Sequence, residues 1–417
     1  MKLTAAIVVA LVITSGAASA QTVLVLGGAA AGRFVHTGDR DSSLLHEGAP
    51  SDGRFEVGGI LGLSSRTRRT ELRLALLVGG VIAVVADEFR KPMMRFEVEH
   101  QWHPTTHLSI NSSMLAEMEP TSLGTVSALR GGSAKNSTVF TAGVPTLTLQ
   151  PVIAAELELN RQHQLIGRIG LDAFAMLTGL MTGTYDNEYD DVKVAQGIQL
   201  ELGYQRRLDR SHAWRGLALG RAMRAATPGG TPTTLLVGAQ VGYTYRLRSQ
   251  LQLDARAGVG KVLRLPEQYL WPVEPLLGLD LTWFNRLDRI SAGFSLGVRE
   301  YVYLAGLPMR QLMAAVRYQR VPSWRPLRWV AELTYEYAHF GHGQGTISTN
   351  NQHTIGLRGR LYYTLFGGWR VVGEAATRVG FIDEGTPNSG YWFTGLVGVA
   401  YLHMARPRDE AVIGEVW

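Results

Sequence analysis

The charged residues of this chain that could act on a solute recur at every second position. Between Met94 and His103, the charged residues Arg95, Glu97 and Glu99 alternate with apolar ones such as Phe96. Charges of both signs at this spacing fall in a row along one face of an extended strand. Such a row could line a polar path and contact a hydrophilic solute.

Similar rows in other stretches extend this set of candidate pore-lining residues. Its members are Arg73, Arg95, Glu97, Glu99, Arg168, Asp172, Glu201, Arg246, Asp254, Arg256, Asp280, Arg299, Arg317, Glu332, Glu336, Arg358, Arg360, Glu374 and Arg378. The two signs are nearly equal in number, so we expect no strong selection between cations and anions. An alternative is that the charges form structural ion-pair ladders between neighbouring strands and select no solute.

Within this set we assign two roles. We predict that arginines contact an anionic or hydroxyl-rich solute and that glutamates set the local electric field. The arginines are Arg256, Arg299, Arg358 and Arg360, and the glutamates are Glu97, Glu332 and Glu336.

Motifs for cofactor binding are weak in this sequence. The stretch Ala257–Lys261 has the glycines and lysine of a phosphate-binding loop, but it lacks the full glycine spacing and the Ser or Thr that follows the lysine. His339 and His342 could offer two imidazoles to a metal ion, with no third ligand nearby in the sequence. We therefore expect no cofactor and no metal site.

Catalytic pairs are equally weak. His107 with Ser109, or His100 with Glu99, could be imagined in a hydrolase, but no third group orients either histidine. We therefore expect no enzyme activity, and an outer-membrane hydrolase is the least favoured alternative.

The elements that must position these charges are long strands. Alternation of apolar and polar residues returns at 234–246, 250–260, 274–284 and 330–338. These stretches match the ~9 to 11 residues that a tilted strand needs to cross a bilayer. A soluble sandwich or propeller is disfavoured, because nearly every strand has one polar face and no blade repeat is visible. The pattern predicts an all-β fold, a transmembrane antiparallel up-and-down β-barrel.

The strand count follows from the whole chain. We predict about eighteen strands, with sixteen as the alternative, at 22–36, 54–64, 70–86, 92–103, 107–118, 146–159, 164–180, 192–206, 212–224, 233–246, 250–264, 274–284, 289–304, 309–320, 328–340, 352–364, 370–382 and 391–404. Every second connection is tight and the longest ones lie between them, as in bacterial barrels with short periplasmic turns and long outer loops.

The ends of the chain indicate export. Lys2, an apolar run and Ala18-Ser19-Ala20 predict a signal peptide over 1–20, followed by a barrel over 21–404 and a periplasmic tail over 405–417. There are no cysteines, and the net charge of +6 is scattered through strands, so we expect no nucleic-acid partner. The predicted location is the outer membrane of a Gram-negative bacterium.

The longest connection, Glu119 to Pro145, follows the fifth predicted strand. Its position resembles that of the loop that folds inward in general porins, and its Ser-, Thr- and Gly-rich composition fits a mobile surface loop equally well.

The hairpin rhythm from Phe96 to Leu108, around Trp102-His103-Pro104-Thr105-Thr106, resembles that of Gram-negative outer-membrane β-barrels. The strand count is similar to that of maltoporin-like sugar channels and alginate-type polysaccharide-export barrels. This resemblance implies a channel that exports a polysaccharide within a secretion system. The alternatives are a general small-solute porin and a structural or adhesion barrel plugged by side chains. Expected partners are the lipid bilayer, lipopolysaccharide, the barrel-assembly machinery and a periplasmic polysaccharide-export protein.

Overall fold

A computed structural model describes most of the chain between residues 21 and 403. The described ranges are 21–38, 51–83, 90–119, 146–176, 194–226, 233–247, 250–265, 269–270, 273–285, 287–301, 307–320, 327–340, 351–365, 368–383 and 388–403. The predicted signal peptide, the C-terminal tail and the connection between Glu119 and Pro145 lie outside them. Across these ranges, no helix has the length and apolar character needed to cross a membrane.

Long strands make up almost all of the described chain. They are β1 (Gln21–Gly38), β2 (Ser51–Arg66), β3 (Thr70–Ala83), β4 (Arg90–Trp102), β5 (Leu108–Glu119), β6 (Thr146–Glu158), β7 (His163–Met176), β8 (Val194–Arg207), β9 (His212–Ala226), β10 (Thr233–Leu247), β11 (Leu251–Leu265), β12 (Tyr269–Leu270), β13 (Glu274–Phe284), β14 (Asp288–Tyr301), β15 (Leu307–Arg320), β16 (Leu327–Phe340), β17 (Asn351–Thr364), β18 (Trp369–Asp383) and β19 (Asn388–His403).

These strands close into one barrel. Each pairs antiparallel with its neighbours in sequence, and β1 pairs with both β2 and β19. The two-residue β12 pairs only with β11, while β11 continues the ring through β13. Eighteen strands therefore form the wall, which confirms the predicted fold class and strand count and the architectural resemblance to outer-membrane barrels.

The two faces of the wall differ in chemistry. Because side chains alternate along each strand, every cross-strand pair shares a face. One face carries large apolar side chains that remain exposed, with Val237 at 66% and Val397 at 69%. It includes Leu26, Val57, Val78, Ile153, Ile169, Leu171, Ile198, Leu200, Leu202, Val241, Leu279, Leu281, Val316, Leu333, Ile355 and Leu357. The opposite face carries most of the charges.

Short turns join the strands at one end of the barrel, called here the turn end. Asn160, Asp209 and Asn285 each accept two backbone N–H groups through a side-chain oxygen, which closes the turn locally. The predicted tightness of every second connection is confirmed between β2 and β3, β4 and β5, β6 and β7, β8 and β9, and β13 and β14. The longer connections leave from the other end, called here the loop end.

Candidate functional site: the lumen wall

The polar face of the barrel faces the lumen. Arg215 on β9 lies 3.3 Å from Asp254 on β11, and Arg221 on β9 lies 3.5 Å from Asp172 on β7. Side chains from strands two apart can meet only on the concave side of a curved sheet. Cross-strand register then places all of the predicted pore-lining residues on this face, although the side chains of Arg299 and Arg378 lie outside the described residues.

Several buried charges lie near the seam of the barrel, where β19 pairs with β1. We call Arg33, Glu56, Arg358, Arg360 and Glu374 the seam cluster. Glu374 accepts hydrogen bonds from Arg358 at 2.9 Å and from Arg360 Nε at 2.5 Å, and the Glu374 and Arg360 side chains are only 2% and 4% exposed. Arg33 Nε donates to Glu56 at 2.6 Å across the β1–β2 pair. These guanidinium groups are therefore held by carboxylates of the wall.

A second group of paired charges occupies β9 to β13. Asp254 accepts from Arg215 at 3.3 Å and from the Thr244 hydroxyl at 2.9 Å, and Arg256 donates to Asp280 at 2.6 Å. Gly278 leaves space for this arrangement, because a Cβ there would lie 3.1 Å from Arg256 Nε. The wall here is a continuous run of alternating charge.

The remaining predicted residues form shorter contacts along the wall. Their ion pairs are Arg168–Glu201 at 3.7 Å, Arg95–Glu97 at 3.6 Å and Arg73–Glu99 at 3.9 Å, while Glu336 accepts from Gln311 at 2.6 Å. Glu332 is buried and lies opposite both Arg317 and Arg358 in the ladder. Arg246 is exposed near the turn end. The arrangement is largely the ion-pair ladder that the sequence left open as an alternative.

Several charged residues of the wall were missed by the sequence analysis: Arg33, Glu56, Arg215, Arg221 and Glu274. Strand β9 shows why, because its lumen face mixes Arg215 and Arg221 with Leu217 and Leu219 while its outer face carries glycine and alanine. Apolar residues therefore do not mark the outer face there. Only the register of β9 against β8 and β10 shows which way these arginines point.

The β14–β15 hairpin departs from the wall at the loop end. Pairing of β14 with β13 stops at Leu277 opposite Leu296, while β14 and β15 stay paired as far as Tyr301. Beyond this point Val298 packs on the lumen-facing Val262 of β11 and is only 4% exposed. The end of the hairpin therefore leans over the inner side of β13.

A salt bridge holds this leaning hairpin. Arg310 on β15 donates from Nε and Nη2 to the two oxygens of Glu274 at 2.9 and 2.5 Å. Glu274 is buried at the start of β13, and Gln311 beside Arg310 is buried as well. The hairpin end narrows the lumen at the loop end. The loop between Glu119 and Pro145, predicted from sequence as one candidate for this position, lies outside the described residues.

Arginine is in excess on the lumen side of the turn end. Among the last three residues of each strand at this end, the described lumen-facing side chains include six arginines and three acidic residues. They are Arg66, Arg207, Arg246, Arg289, Arg328 and Arg370, against Glu71, Glu156 and Glu158. Charge is thus close to balanced along the wall and positive at this mouth.

Aromatic side chains form a belt on the outer face near the turn end. Trp102, Tyr204, Trp214, Trp369 and Tyr401 lie there, and the Trp369 and Tyr401 rings pack at a tilt with their centroids 5.1 Å apart. Trp and Tyr favour the boundary between hydrocarbon and water because one end of each ring system is polar. By register, Tyr245, Trp283, Tyr318 and Trp329 also face outward near this end.

Two of the candidate motifs form no site in the described residues. His100 and Glu99 point to opposite faces of β4, and Ala257–Lys261 lies within strand β11. His342 lies outside the described residues. In the described part of the chain, no group of three histidine, cysteine, aspartate or glutamate side chains could hold a metal ion.

Comparison with known proteins finds similarity only among solved structures. No protein-family model and no curated protein matches the sequence. The outer membrane protein OpdK of Pseudomonas aeruginosa superposes with a TM-score of 0.45 at 10% identity, covering 93% of this chain and 99% of that one. OccAB4 of Acinetobacter baumannii superposes with a TM-score of 0.44 at 10% identity, covering 91% and 98%. The closed strand ladder itself establishes the fold.

Proposed function

We propose that this chain is an outer-membrane channel that passes small hydrophilic solutes through its lumen. The observation that carries the proposal is the division of one closed wall into an exposed apolar exterior and a charged interior. An exterior with side chains such as Val237 and Val397 largely exposed is stable only against hydrocarbon. Barrels of sixteen to eighteen strands leave room for an aqueous path.

The contacts within the wall favour a conduit over a plug. The ion pairs of the described residues join the same or nearby strands, as in Arg358 with Glu374 and Arg256 with Asp280. Pairs of this kind run along the wall and do not cross the lumen. Their charges remain available to polarise water and solute in the path.

The hairpin favours small solutes over polymers. The β14–β15 end, held by Arg310 and Glu274, reduces the opening at the loop end. A polysaccharide in transit would have to pass this constriction along its whole length. Polysaccharide export, the leading expectation from the sequence, has no support in the described residues.

Planar-bilayer recording tests the proposal. Purified protein should insert and give stepwise conductance, and reconstituted liposomes should swell in isotonic solutions of small sugars and amino acids, progressively less as solute size rises. A barrel that is heat-modifiable, and so folded, yet gives no conductance steps and no swelling would be a plugged structural barrel. Permeation by long oligosaccharides as fast as by monosaccharides would favour polymer export.

A further inference from the structure

A row of four outward-facing residues crosses the wall near the turn end. His163 on β7 lies opposite Arg206 on β8, Arg206 lies opposite Trp214 on β9, and Trp214 lies opposite Tyr243 on β10. Arg206 is thus the central charge of an aromatic and histidine surface, in the belt expected at the edge of the hydrocarbon. We call this surface the Arg206 patch.

Contacts between the rings fix the patch. His163 hydrogen-bonds the Tyr204 hydroxyl, and His212 hydrogen-bonds the Tyr243 hydroxyl. The Trp214 and Tyr243 rings lie with their centroids 4.9 Å apart, and the neighbouring His212 and Tyr245 rings lie 4.7 Å apart. Rings that hold one another lose little freedom when a ligand binds, so the surface is organised in advance.

Arg206 itself has no hydrogen-bond or ion-pair partner among the described residues, and its side chain is exposed. The adjacent Arg207 points to the lumen and lies 3.6 Å from Glu158. Asp209, the nearest acid in sequence, accepts the backbone N–H groups of Ser211 and His212. Glu158 and Asp209 are therefore each held by a group other than Arg206.

A second arginine in the belt provides the contrast. Arg320 is also outward-facing near the turn end, between Asp288 and Trp329. It lies 3.9 Å from Asp288. Where Arg320 has an aspartate on one side, Arg206 has His163. In both places an arginine lies opposite a tryptophan. The charge of Arg320 is neutralised by Asp288, whereas Arg206 stays cationic.

We propose that the Arg206 patch binds the headgroup phosphate of an anionic phospholipid in the leaflet at the turn end. The guanidinium donates two parallel N–H groups to phosphate oxygens, a geometry that arginine provides and lysine does not. Arg161 and Arg210 in the flanking turns add positive charge, and the rings of Tyr204 and Trp214 contact the glycerol region. The inference rests on the proposed placement of the barrel in a membrane.

Lipid titration of the purified protein in non-ionic detergent tests this site. Phosphatidylglycerol with brominated acyl chains is added to the wild type, Arg206→Gln and Arg320→Gln, and quenching of tryptophan fluorescence is measured at low salt. We expect about ten-fold weaker binding for Arg206→Gln, the loss of one charge-assisted contact, and unchanged binding for Arg320→Gln. Equal affinities of all three proteins, or equal losses in both variants, would overturn the proposal.

Two further measurements separate the remaining outcomes. Inorganic phosphate at millimolar concentration should not displace the lipid, and displacement would show that the site takes free phosphate. Heat-modifiability on gels verifies that both variants are folded. Because Arg206 faces away from the lumen, Arg206→Gln should keep wild-type conductance. A barrel without conductance would overturn the proposed channel and leave the lipid result standing.

Discussion

Glu374 shows how a single side chain of the wall serves two others. It accepts hydrogen bonds from Arg358 and Arg360, all three being largely shielded from water. A charged group removed from water needs a partner, and here one carboxylate serves two guanidinium groups. Contact of Arg358 and Arg360 with solute stays a prediction, and any solute would meet them as part of this cluster.

Replacing Glu374 with glutamine should therefore destabilise the barrel strongly. Two guanidinium groups would lose their counter-charge in a shielded site, and we expect the free energy of unfolding to fall by about 3–5 kcal/mol. Urea unfolding in lipid vesicles measures the change. Glu99→Gln is the matched control, because Glu99 is half exposed beside Arg73 and its loss should cost no more than about 1 kcal/mol. Similar losses in both variants would contradict the argument.

Residue types indicated the polar face correctly but not the pairing within it. Alternation in β4 and β17 identifies which residues share a face. The partner of a given charge depends on register between strands, and contacts such as Arg215 with Asp254 also depend on curvature. Neither register nor curvature can be deduced from the sequence of a single strand, so Arg215 and Glu274 were missed. Sequence could predict the face, and only the assembled wall shows the contacts.

Among the elements, the β14–β15 hairpin is the one that departs from the regular barrel. Its strands were predicted closely from alternation, yet its inward lean was not. The lean arises where β13 and β14 stop pairing and is held by one salt bridge and by Val298 on Val262. Strand periodicity carries no information about where pairing ends.

Glu274→Gln should loosen the hairpin. The Arg310 guanidinium would lose a charged acceptor and keep only a neutral one, a change of about 1 kcal/mol at a partly exposed pair. Single-channel records should then show larger and noisier conductance, as the hairpin leaves the inner wall more often. Glu201→Gln, which removes a wall carboxylate distant from the hairpin, is the control and should leave the noise unchanged. Identical records for wild type and Glu274→Gln would show that the hairpin does not restrict the path.

The β8–β9 turn provides a pH-dependent element. The backbone N–H of Ser211, followed by that of His212 and the charge of His212, holds the pKa of Asp209 below its usual value of 3.8. A lowered folded-state pKa stabilises the turn fully above 3.8, and the contribution is lost as pH falls through the lowered pKa. Asp209→Asn keeps an oxygen acceptor but does not titrate.

The difference in unfolding free energy between wild type and Asp209→Asn should therefore depend on pH. We expect a constant difference from about pH 5 down to about the ordinary aspartate pKa, and below it a shift that disfavours the wild type. Carboxylates elsewhere titrate in both proteins and cancel in the comparison. A difference that stays constant down to the lowest accessible pH would show that Asp209 does not keep these hydrogen bonds in solution.

At the scale of the whole molecule, the charge of the lumen is distributed unevenly. The wall is nearly balanced, whereas the turn-end mouth carries six arginines against three acids within the described residues. The sequence alone predicted no strong selection between cations and anions, because a sum over the chain does not show where each charge lies. A positive mouth attracts anions at low salt. The attraction weakens as the Debye length falls from about 10 Å at 0.1 M salt to about 3 Å at 1 M.

Reversal potentials in a potassium chloride gradient should therefore show a modest preference for chloride. The double variant Arg246→Gln, Arg289→Gln should shift the reversal potential toward zero at 0.1 M salt and less so at 1 M, since salt screens the mouth. Arg206→Gln, an arginine at the same end that faces outward, should behave like the wild type. A double variant with unchanged reversal potential would mean that the mouth does not set ion preference.

The fold of the whole molecule was predictable because it depends on repetition. Most of the eighteen strands repeat the same two-residue period, and the alternation of short and long connections sets their direction. Errors of a few residues at the ends leave the count unchanged: the predicted 274–284 matches β13 as Glu274–Phe284, and 22–36 compares with β1 as Gln21–Gly38.

The seam between β1 and β19 has a consequence for how freely the chain can be reconnected. Leu26, five residues after the start of β1, lies opposite His403 at the end of β19, so both ends of the described chain lie at the turn end on neighbouring strands. A short glycine-serine linker between them would add one more tight turn to a wall already built from such turns. A circular permutant opened within the β8–β9 connection should therefore fold and migrate as a heat-modifiable barrel. The pairing of strands in the closed barrel does not depend on which connection is left open.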